Sequence, residues 1–355
     1  MSSQPKTQTA LLVPTIGSRL TLHTTHPIPF PSPSQIQIRT TLAGLNPHDQ
    51  KSRDRGLFIK DHLPGILSND IVGVVTALGS NASKYAIGDR IFAQSKIVNG
   101  NEQKGFQEFA VLDEQFSSKV PEGMRDTEVG TLPTNALAAL VAIFDGTGLG
   151  IPAPWLEEAK TFDYKGTTLL VVGGGANCGK FGVQFAKLAG IGKIVVVGGE
   201  EAELKRLGAT HVLDRHGGDE VVGKRIREVV GDELIYAFDV VNGLVGQHIA
   251  VSALSTSKKG TLARLVFSVG SLNEGKIMPE KKAGYELRNV FGSSHDRPEL
   301  AKGLWDRVGE YLRGGKLVPL KAEVVEGLDV DKANEVLDRY RDGKKVIQTH
   351  FRISN

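Results

Sequence analysis

Cysteine is nearly absent from the chain: Cys178 is the single one among 355 residues. One cysteine excludes an internal disulfide bond and any metal site that is built from several thiolates. The same scarcity is typical of proteins in a reducing compartment, and we therefore expect a cytoplasmic protein. The first residues also lack a charged stretch followed by an apolar one, so we expect no signal peptide.

Long apolar runs and blocks of like charge are absent too. The longest unbroken apolar run, "LAALVAIF" at 137–144, is far shorter than the roughly 18 residues of a membrane-spanning helix. Lysines and arginines are spread along the chain, and the formal net charge is only +3. We therefore expect a small molecule as partner and neither a membrane nor a nucleic acid.

What the chain does contain is a change of pattern. Up to about residue 135, the sequence predicts short strands separated by proline and glycine turns, with few helices; examples are "IQIRTTLAGL" (36–45) and "DIVGVVTALG" (70–79). From about residue 165, strand-like and helix-like segments alternate, which predicts a parallel sheet with helices on both faces. One helix is predicted over 299–316, followed by strand-like segments and an amphipathic helix.

A glycine-rich turn stands out in "TTLLVVGGGANCGKFGVQFAKLAG" (167–190), where a predicted strand ends at Val172 and a helix begins around 176–178. Glycines let the backbone approach a pyrophosphate, whose charge then meets the helix N-terminus. The spacing departs from G-x-G-x-x-G because Ala176 replaces the middle glycine, and a plain tight turn stays an alternative. The residues predicted to contact a dinucleotide here are Gly173, Gly174, Gly175, Ala176, Asn177, Cys178 and Gly179.

Helical spacing after the turn predicts two faces. The exposed face carries Lys180, Gln184 and Lys187, and the buried face carries Phe181, Phe185 and Leu188. Cys178 lies at the start of this helix, where the helix dipole can lower the pKa of a thiol, so a nucleophilic role is conceivable. No histidine is near it in sequence, and we interpret it as a small side chain that packs under the cofactor.

The end of the next strand decides between the two nicotinamide dinucleotides. In NAD-binding proteins an acidic residue there holds the ribose 2′-hydroxyl. Here "KIVVVGG" ends on Gly198 and Gly199 without a carboxylate, although Glu200 and Glu201 follow and keep NAD(H) possible. Three nearby cations could instead pair with a 2′-phosphate, and they favour NADP(H): Lys205, Arg206 and Arg215.

Several stretches resemble, in the same order, the medium-chain dehydrogenase/reductase superfamily over nearly the whole chain. They are "LAGLNPHDQK" (42–51), "LPGILSNDIVGVVTALGSNASKYAIGDRIFA" (63–93), "GFQEFAV" (105–111), "LPTNALAAL" (132–140), "LKRLGATHVLD" (204–214) and "FDVVNG" (238–243). The resemblance implies a β-rich GroES-like domain over 1–140 and 310–355. It also implies an α/β Rossmann domain, a doubly wound parallel sheet, over 141–309.

The resemblance further implies that no zinc is bound. Zinc-dependent members carry cysteine where Asn46 stands and His-Glu where Asn69 and Asp70 stand. They also carry a four-cysteine lobe that this chain cannot form. Asparagine is a poor replacement for a zinc ligand. The chain therefore resembles the quinone oxidoreductase and enoyl reductase branch, including its fungal zinc-independent members.

That branch implies NADPH-dependent reduction of a quinone, or of a C=C bond conjugated to a carbonyl group, in a cleft between the domains. The substrate would be an apolar electrophile, and relatives commonly pair as homodimers through their nucleotide domains. Asn46 and Asn135 would lie near the nicotinamide, although the family usually has threonine at the second position. The other implied cofactor contacts are Gly198, Gly199, Arg215, Val241 and Asn242, with Arg215 at a place where relatives often contact the 2′-phosphate.

The proton donor is the point where the chain departs from this branch. In "RGLFIKD", Phe58 takes the place of a tyrosine that enoyl reductases often use to protonate the enolate. Water or a neighbour could serve instead, namely Lys51, Arg53, Lys60 or His62, although each is expected to be an exposed surface charge. His48 is expected to be structural. Two alternatives stay open: a metal-free alcohol or carbonyl oxidoreductase, and a cofactor-binding protein with little turnover.

Overall fold

The computed structural model of the chain describes residues 6–97, 100–267 and 271–354. Their strands are β1 (Thr7–Val13), β2 (Thr21–Pro27), β3 (Gln35–Gly44), β4 (Gly65–Ile66), β5 (Asp70–Leu78), β6 (Arg90–Gln94), β7 (Phe109–Asp113), β8 (Ser117–Lys119), β9 (Thr168–Val172), β10 (Lys193–Val197), β11 (His211–Leu213), β12 (Tyr236–Asp239), β13 (Gly260–Arg264), β14 (Tyr285–Asn289), β15 (Ala322–Glu326) and β16 (Gln348–Arg352). Their α-helices are α1 (Pro47–Arg55), α2 (Asp126–Val129), α3 (Pro133–Phe144), α4 (Asn177–Ala189), α5 (Glu201–Leu207), α6 (Asp219–Val230), α7 (His248–Ala253), α8 (Pro298–Trp305), α9 (Val308–Arg313) and α10 (Val330–Arg341).

The chain divides into two compact units. The first comprises the described parts of Met1–Thr134, Ser293–Gly314 and Pro319–Asn355, and the second those of Asn135–Gly292 and Gly315–Val318. The domain limits expected from the sequence, 1–140 with 310–355 and 141–309, stay a prediction.

The second unit contains a parallel sheet of six strands in the order β11-β10-β9-β12-β13-β14. The chain enters at the central strand β9, runs outwards to β11 on one side, and then from β12 to β14 on the other. This is the doubly wound arrangement, so the predicted fold class is confirmed. Its topological switch point lies at the carboxyl ends of β9 and β12, where sheets of this kind bind their ligands.

The first unit is mainly antiparallel. Its larger sheet has seven strands, ordered β15-β16-β3-β5-β6-β8 with β7 also paired to β3, and its smaller sheet has the order β2-β1-β4. The predicted β-rich character is confirmed, but the prediction missed three helices before or near residue 135, namely α1, α2 and α3. The buried residues of α1 are polar, so the helix shows no apolar period that would reveal it; they are Asp49, Gln50, Ser52 and Arg53.

Helix α4 lies where it was predicted, but its faces match the prediction only in part, because Lys180 and Leu188 are both half-buried. The helix begins at Asn177 and ends at Ala189, and Gly190 after it adopts the left-handed conformation that glycine favours at this position. Phe181 and Phe185 are fully buried. Gln184, predicted on the exposed face, is buried because its amide pairs with the backbone N–H and carbonyl of Val318 at 2.6 and 3.2 Å. A partner so distant in sequence leaves no trace in the local helical period.

The single helix predicted over 299–316 is wrong, because the structure has two, α8 and α9. The break follows from a competition for one carbonyl group. The guanidinium of Arg307 donates to the carbonyl of Gly303 at 3.0 Å. The Arg307 N–H turns instead to Leu304, one residue too close for a continuous α-helix.

One helical stretch of the described chain, Asp126–Phe144, is long and apolar enough to cross a membrane by length and composition. Its mean hydropathy is 1.3, and 83% of the stretch is buried inside the fold, as is usual for a core helix.

Candidate functional site

The glycine turn after β9 is packed so closely that its glycines leave no room for side chains. A Cβ at Gly174 would lie 2.3 Å from Cγ1 of Val196, and one at Gly179 would lie 2.4 Å from the carbonyl oxygen of Gly173. Gly173 itself has a φ of +98°, in the region that only glycine adopts readily. These glycines therefore hold the turn against β10 and the first turn of α4.

The tip of the turn is different, because it is open. Gly175 is exposed, and a Cβ there would come no closer than 3.5 Å to its neighbour Gly199. Ala176 is the N-cap of α4, makes no side-chain cap, and precedes the half-buried Asn177. The first N–H groups of a helix lack acceptors within the helix. A backbone-lined tip at the N-terminus of a helix, at the switch point of the sheet, fits the diphosphate of a dinucleotide.

The loop after β12 packs directly on this turn. A Cβ at Gly173 would lie 2.7 Å from side-chain carbons of both Val240 and Val241. Asp239, fully buried at the end of β12, accepts from the N–H groups of Val241 and Asn242 at 3.1 and 2.9 Å. Its second oxygen accepts from Nδ2 of Asn242 at 2.9 Å. Burial raises the pKa of Asp239, and these hydrogen bonds oppose that rise.

Asp239 fixes the position of Val241 and Asn242, and the sequence reasoning missed it. A signal was available, since an aspartate at the end of a strand followed by an asparagine is typical of a side-chain-stabilised turn. Asn242 was predicted as a cofactor contact, and its side-chain amide nitrogen is bonded to this carboxylate.

Arg215 lies beside Gly198, directly after the carboxyl end of β10. Its Cδ is 3.2 Å from the position that a Cβ of Gly198 would occupy, so the stem of the arginine lies along this glycine. Gly198 and Gly199 have φ of +76° and +100°. Arg215 is exposed, and its guanidinium has no hydrogen-bond or ion-pair partner in the part of the chain that the structure describes.

Three other charged side chains near β10 are engaged, namely Glu200, Lys180 and Lys205, while Glu201 and Arg206 are exposed. The carboxylate of Glu200 caps α5 by accepting from the N–H groups of Ala202 and Glu203 at 2.9 and 2.7 Å, and these bonds lower its pKa. Lys180 pairs with Glu203 at 2.8 Å. Nζ of Lys205 donates to the carbonyl of Thr210 at 3.1 Å.

Cys178 and Asn135 lie together in the second unit. The thiol of Cys178 donates to Oδ1 of Asn135 at 3.4 Å, and Asn135 is buried. Cys178 is half-buried, and its predicted role, packing under the cofactor, stays a prediction. The structure thus brings one residue predicted as catalytic into contact with one predicted as cofactor-binding.

In the first unit, Asn46 belongs to a buried polar cluster around Asp70. Nδ2 of Asn46 donates to Oδ2 of Asp70 at 2.7 Å, and Nε2 of Gln348 donates to the same oxygen at 3.3 Å. The N–H of Thr134 donates to Oδ1 at 2.8 Å. Burial raises the pKa of Asp70 to about 6, despite these hydrogen bonds. Gln348 comes from the far end of the chain, and nothing in the sequence signalled it.

Asn46 reaches this cluster because its backbone is fixed at the start of α1. It is the N-cap residue, followed by proline at the first helical position. Its N–H donates to Oδ2 of Asp49 at 2.8 Å. The backbone is thereby held by the helix while the side chain points to Asp70.

Phe58, His48 and Asn69 form a second group in the same unit. The rings of His48 and Phe58 lie edge to face, with centroids 6.3 Å apart. Nε2 of His48 is 3.1 Å from Oδ1 of Asn69, whose Nδ2 donates to Ser95 Oγ and to the carbonyl of Lys96. These two bonds fix the Asn69 amide, so Nε2 of His48 is the donor.

The backbone around this second group is strained. Phe58 and Ser68 have φ of 64° and 74°, the two non-glycine residues of the described chain with positive φ. Such conformations cost about 1 to 3 kcal/mol and cluster at functional sites.

The candidate proton donors named from the sequence differ in how deeply they are buried. Arg53, expected on the surface, is buried and donates to Asp338 and Asp54 at 2.8 and 2.6 Å. That expectation was wrong because α1 packs against α10, an arrangement the sequence does not reveal. Lys60 and His62 are exposed, as expected, and Lys51 is half-buried.

Metal-ligating side chains are not gathered anywhere in the described chain. No group of three or more histidine, cysteine, aspartate or glutamate residues lies close enough there to hold an ion.

Two protein-family models match the chain. The model of the alcohol dehydrogenase GroES-like domain matches residues 32–122, and the model named zinc-binding dehydrogenase matches residues 178–309. Together they cover more than half of the sequence. The chain belongs to the medium-chain dehydrogenase/reductase superfamily.

Relatives within the superfamily carry the names of several activities. The dehydrogenase azaJ of Aspergillus niger is 24% identical over 339 residues, which cover 91% of this chain and 93% of the relative. The trans-enoyl reductase RAP2 of Pyricularia oryzae is 26% identical over 337 residues, which cover 91% and 92%. The crystal structure of a quinone oxidoreductase of Pseudomonas syringae has a TM-score of 0.74 at 20% identity and covers 97% of this chain and 99% of its own.

Membership makes the chain an oxidoreductase of the medium-chain superfamily that uses a nicotinamide dinucleotide. The β-rich unit is the GroES-like part of the family fold, and the doubly wound unit is its Rossmann part. The residues predicted as cofactor contacts form one group at the carboxyl ends of β9, β10 and β12. Asn46 and Phe58 lie in the other unit.

Proposed function

We propose that the protein is an NADPH-dependent reductase of enones, enals or quinones that works without zinc. The observation that carries the proposal is the bond between Asn46 and the buried Asp70. By family resemblance, zinc-dependent members place a thiolate and a His-Glu pair where this chain has Asn46, Asn69 and Asp70. The carboxamides of Asn46 and Asn69 are both hydrogen-bonded, and neither offers the charge or basicity of a zinc ligand.

The reaction class is supported by the names of the relatives. A trans-enoyl reductase and a quinone oxidoreductase both share this fold along nearly their whole length. Exposed apolar side chains follow the ends of β12 and β13, and they support an apolar substrate: Val241 is 48% exposed, Val245 72% and Phe267 40%.

NADPH is favoured over NADH by the charges at the end of β10. Glu200, one of the two carboxylates that could hold a ribose hydroxyl, is engaged in capping α5. The guanidinium of Arg215 is exposed and lies along Gly198. A guanidinium matches the geometry of a phosphate with two parallel hydrogen bonds, so we assign the 2′-phosphate to Arg215.

When bound, the nicotinamide supplies the hydride. The contribution of the protein is to hold and orient. The backbone at Gly175 and Ala176 binds the diphosphate, while the closely packed Gly173, Gly174 and Gly179 keep that backbone in place. Asn135 is the polar side chain of this unit assigned to the reacting atoms, and in the first unit Asp70 holds the amide of Asn46.

Protonation of the enolate is assigned to Nδ1 of His48 in its protonated form, because Nε2 donates to Asn69. Phe58 has no acidic proton, and Arg53 is buried in ion pairs. The ring of His48 contacts Phe58 edge to face, and 17% of its side chain is exposed. His48→Gln should lower kcat by about a hundredfold, as expected for a lost general acid, and leave NADPH binding unchanged. His62→Gln, at an exposed histidine, is the matched control.

The reaction itself is tested by following NADPH oxidation with a panel of 2-alkenals, enones and quinones. We expect turnover with at least one class, unaffected by a chelator. Stoichiometric zinc in the purified protein would contradict the zinc-free assignment. Oxidation of alcohols alone would favour the metal-free alcohol or carbonyl oxidoreductase. NADPH binding without turnover would favour a cofactor-binding protein.

We further propose that the protein lies in the cytoplasm and forms a homodimer through its second unit. Strand β14 pairs with β13 alone among the described strands, so it forms an edge to which a second copy can add. Sedimentation velocity of the wild-type protein should report a dimer, and a wild-type monomer would contradict the proposal.

A further inference from the structure

One buried side chain, Gln247, ties together the loops that follow β12 and β13. Its Nε2 donates to the carbonyl of Asn242 at 2.9 Å and to that of Val266 at 2.6 Å. Its Oε1 accepts from Nη1 of Arg264 at 2.9 Å. Gln247 is fully buried, so these bonds form out of contact with bulk water.

The partners leave the amide only one orientation. Carbonyl oxygens only accept and a guanidinium only donates, so the nitrogen must face the two loops and the oxygen must face Arg264. Arg264 is held in turn, because its Nε donates to Oδ1 of Asn289 on β14 at 2.8 Å. The amide of Gln247 is therefore fixed from both ends.

The two loops lie on the side of the switch point where the nicotinamide half of the cofactor is expected to bind. A doubly wound sheet binds a dinucleotide with one mononucleotide half on each side, and β9 to β11 with the glycine turn form the adenine side. The ends of β12 and β13 therefore face the nicotinamide side. Asn242 is clamped there from two directions, by Asp239 through its N–H and by Gln247 through its carbonyl.

We propose that Gln247 is a positioning residue for the nicotinamide half of the cofactor. It holds the backbone of Asn242 and Val266 in the binding conformation, and Arg264 orients its amide. The inference rests on the proposed dinucleotide binding and does not depend on the substrate or on the use of Arg215.

The test is Gln247→Glu. A carboxylate can still accept from Arg264, but it cannot donate to the carbonyls of Asn242 and Val266, and its charge would face both oxygens. Dissociation constants are measured by titration for NADPH and for 2′,5′-ADP, which carries the adenine half alone. We expect NADPH affinity to fall by about tenfold or more, as for two lost hydrogen bonds, with 2′,5′-ADP affinity unchanged.

Gln184→Glu is the matched control, because Gln184 is a second buried glutamine of the same unit and its amide pairs with the backbone of Val318. It should leave the ratio of the two affinities at the wild-type value. Methionine has a similar shape to glutamine and no charge. Gln247→Met therefore replaces Gln247→Glu in the comparison if circular dichroism shows that Gln247→Glu is unfolded. If the wild-type protein prefers NADH, the same variants are titrated with NADH and with ADP instead.

An equal loss of affinity for both ligands would overturn the inference, since it would mean a general structural role. Unchanged NADPH affinity in both Gln247 variants would overturn it as well. In either case wild-type binding would leave the proposed function standing. A wild type that binds neither ligand would refute the proposed function, and the inference with it.

Discussion

The two candidate regions are built from different parts of the chain. In the second unit, the turn at Gly173–Gly179 is made of backbone, and its glycines act by having no side chains. In the first unit, the cluster around Asp70 is made of side chains that come from positions 24 and 278 residues away. A site built from local backbone is visible as a motif, whereas a site built from distant side chains is visible only after folding.

The difference extends to charge. The glycine turn presents backbone dipoles and no carboxylate or histidine, while the first unit buries Asp70 and His350 side by side. A Cβ at Gly44 would lie 2.9 Å from Cδ2 of His350 and 3.2 Å from Cβ of Asp70. We therefore expect added side-chain volume to disturb the turn. We expect pH to change the stability of the first unit.

The largest effect is expected for Gly174→Ala. Its Cβ would lie 2.3 Å from Val196 and 2.6 Å from the carbonyl oxygen of Gly198, so the turn must shift. Unfolding in urea should show a loss of about 3 kcal/mol, typical of an overpacked core, and NADPH binding should disappear. Gly175→Ala is the control for stability, because its Cβ makes only an ordinary contact at 3.5 Å. Equal stability of the two variants would contradict the packing argument.

His350→Leu should change how stability depends on pH. Burial lowers the pKa of His350 from 6.5 to about 4, so the folded state binds fewer protons than the unfolded state between these values. The stability due to the neutral histidine is present above pH 6.5 and is lost as the pH falls to about 4. The wild type should lose about 1.4 kcal/mol per pH unit relative to the variant in this window. Urea titrations across the window measure the difference, and parallel curves would refute it.

Asp70→Asn should show the opposite slope. Burial raises the pKa of Asp70 from its ordinary value of 3.8 to about 6, so the folded state binds more protons than the unfolded state between these values. Its stabilising contribution is present below pH 3.8 and is lost as the pH rises to about 6. Relative to the variant, the wild type should therefore lose about 1.4 kcal/mol per pH unit as the pH rises. The same titrations measure it, and a difference of the same sign as for His350 would contradict the assignment.

Arg215→Ala should have the smallest effect, and only on binding. Loss of a charged hydrogen bond should weaken NADPH binding by about 1 to 3 kcal/mol and leave NADH binding and stability unchanged. Lys205→Ala is the control, because that lysine is bonded to the carbonyl of Thr210. Fluorescence titration with both dinucleotides measures the change. A similar loss for NADH would show that the 2′-phosphate does not lie at Arg215.

Prediction from the sequence succeeded where a local pattern carried the information. The alternation of strands and helices gave the doubly wound sheet, and the spacing of Phe181 and Phe185 gave the buried face of α4. It failed at Gln184, Arg53 and α1, where buried polar groups find partners on distant elements. Gln247 was missed for the same reason, since a lone glutamine outside any motif has no signal of its own.

The sequence by itself determined the fold class, the superfamily and the place of the glycine turn, because periodicity, glycine spacing and ordered motifs are properties of neighbouring residues. The tertiary structure alone decided which carboxylates are buried, that Asp239 and Gln247 hold the loop at Asn242 from both sides, and that His48 contacts Phe58. The physical reason is that burial and hydrogen bonding join groups that are distant in sequence. The shifts of their pKa values and their fixed orientations arise only when folding brings these groups together.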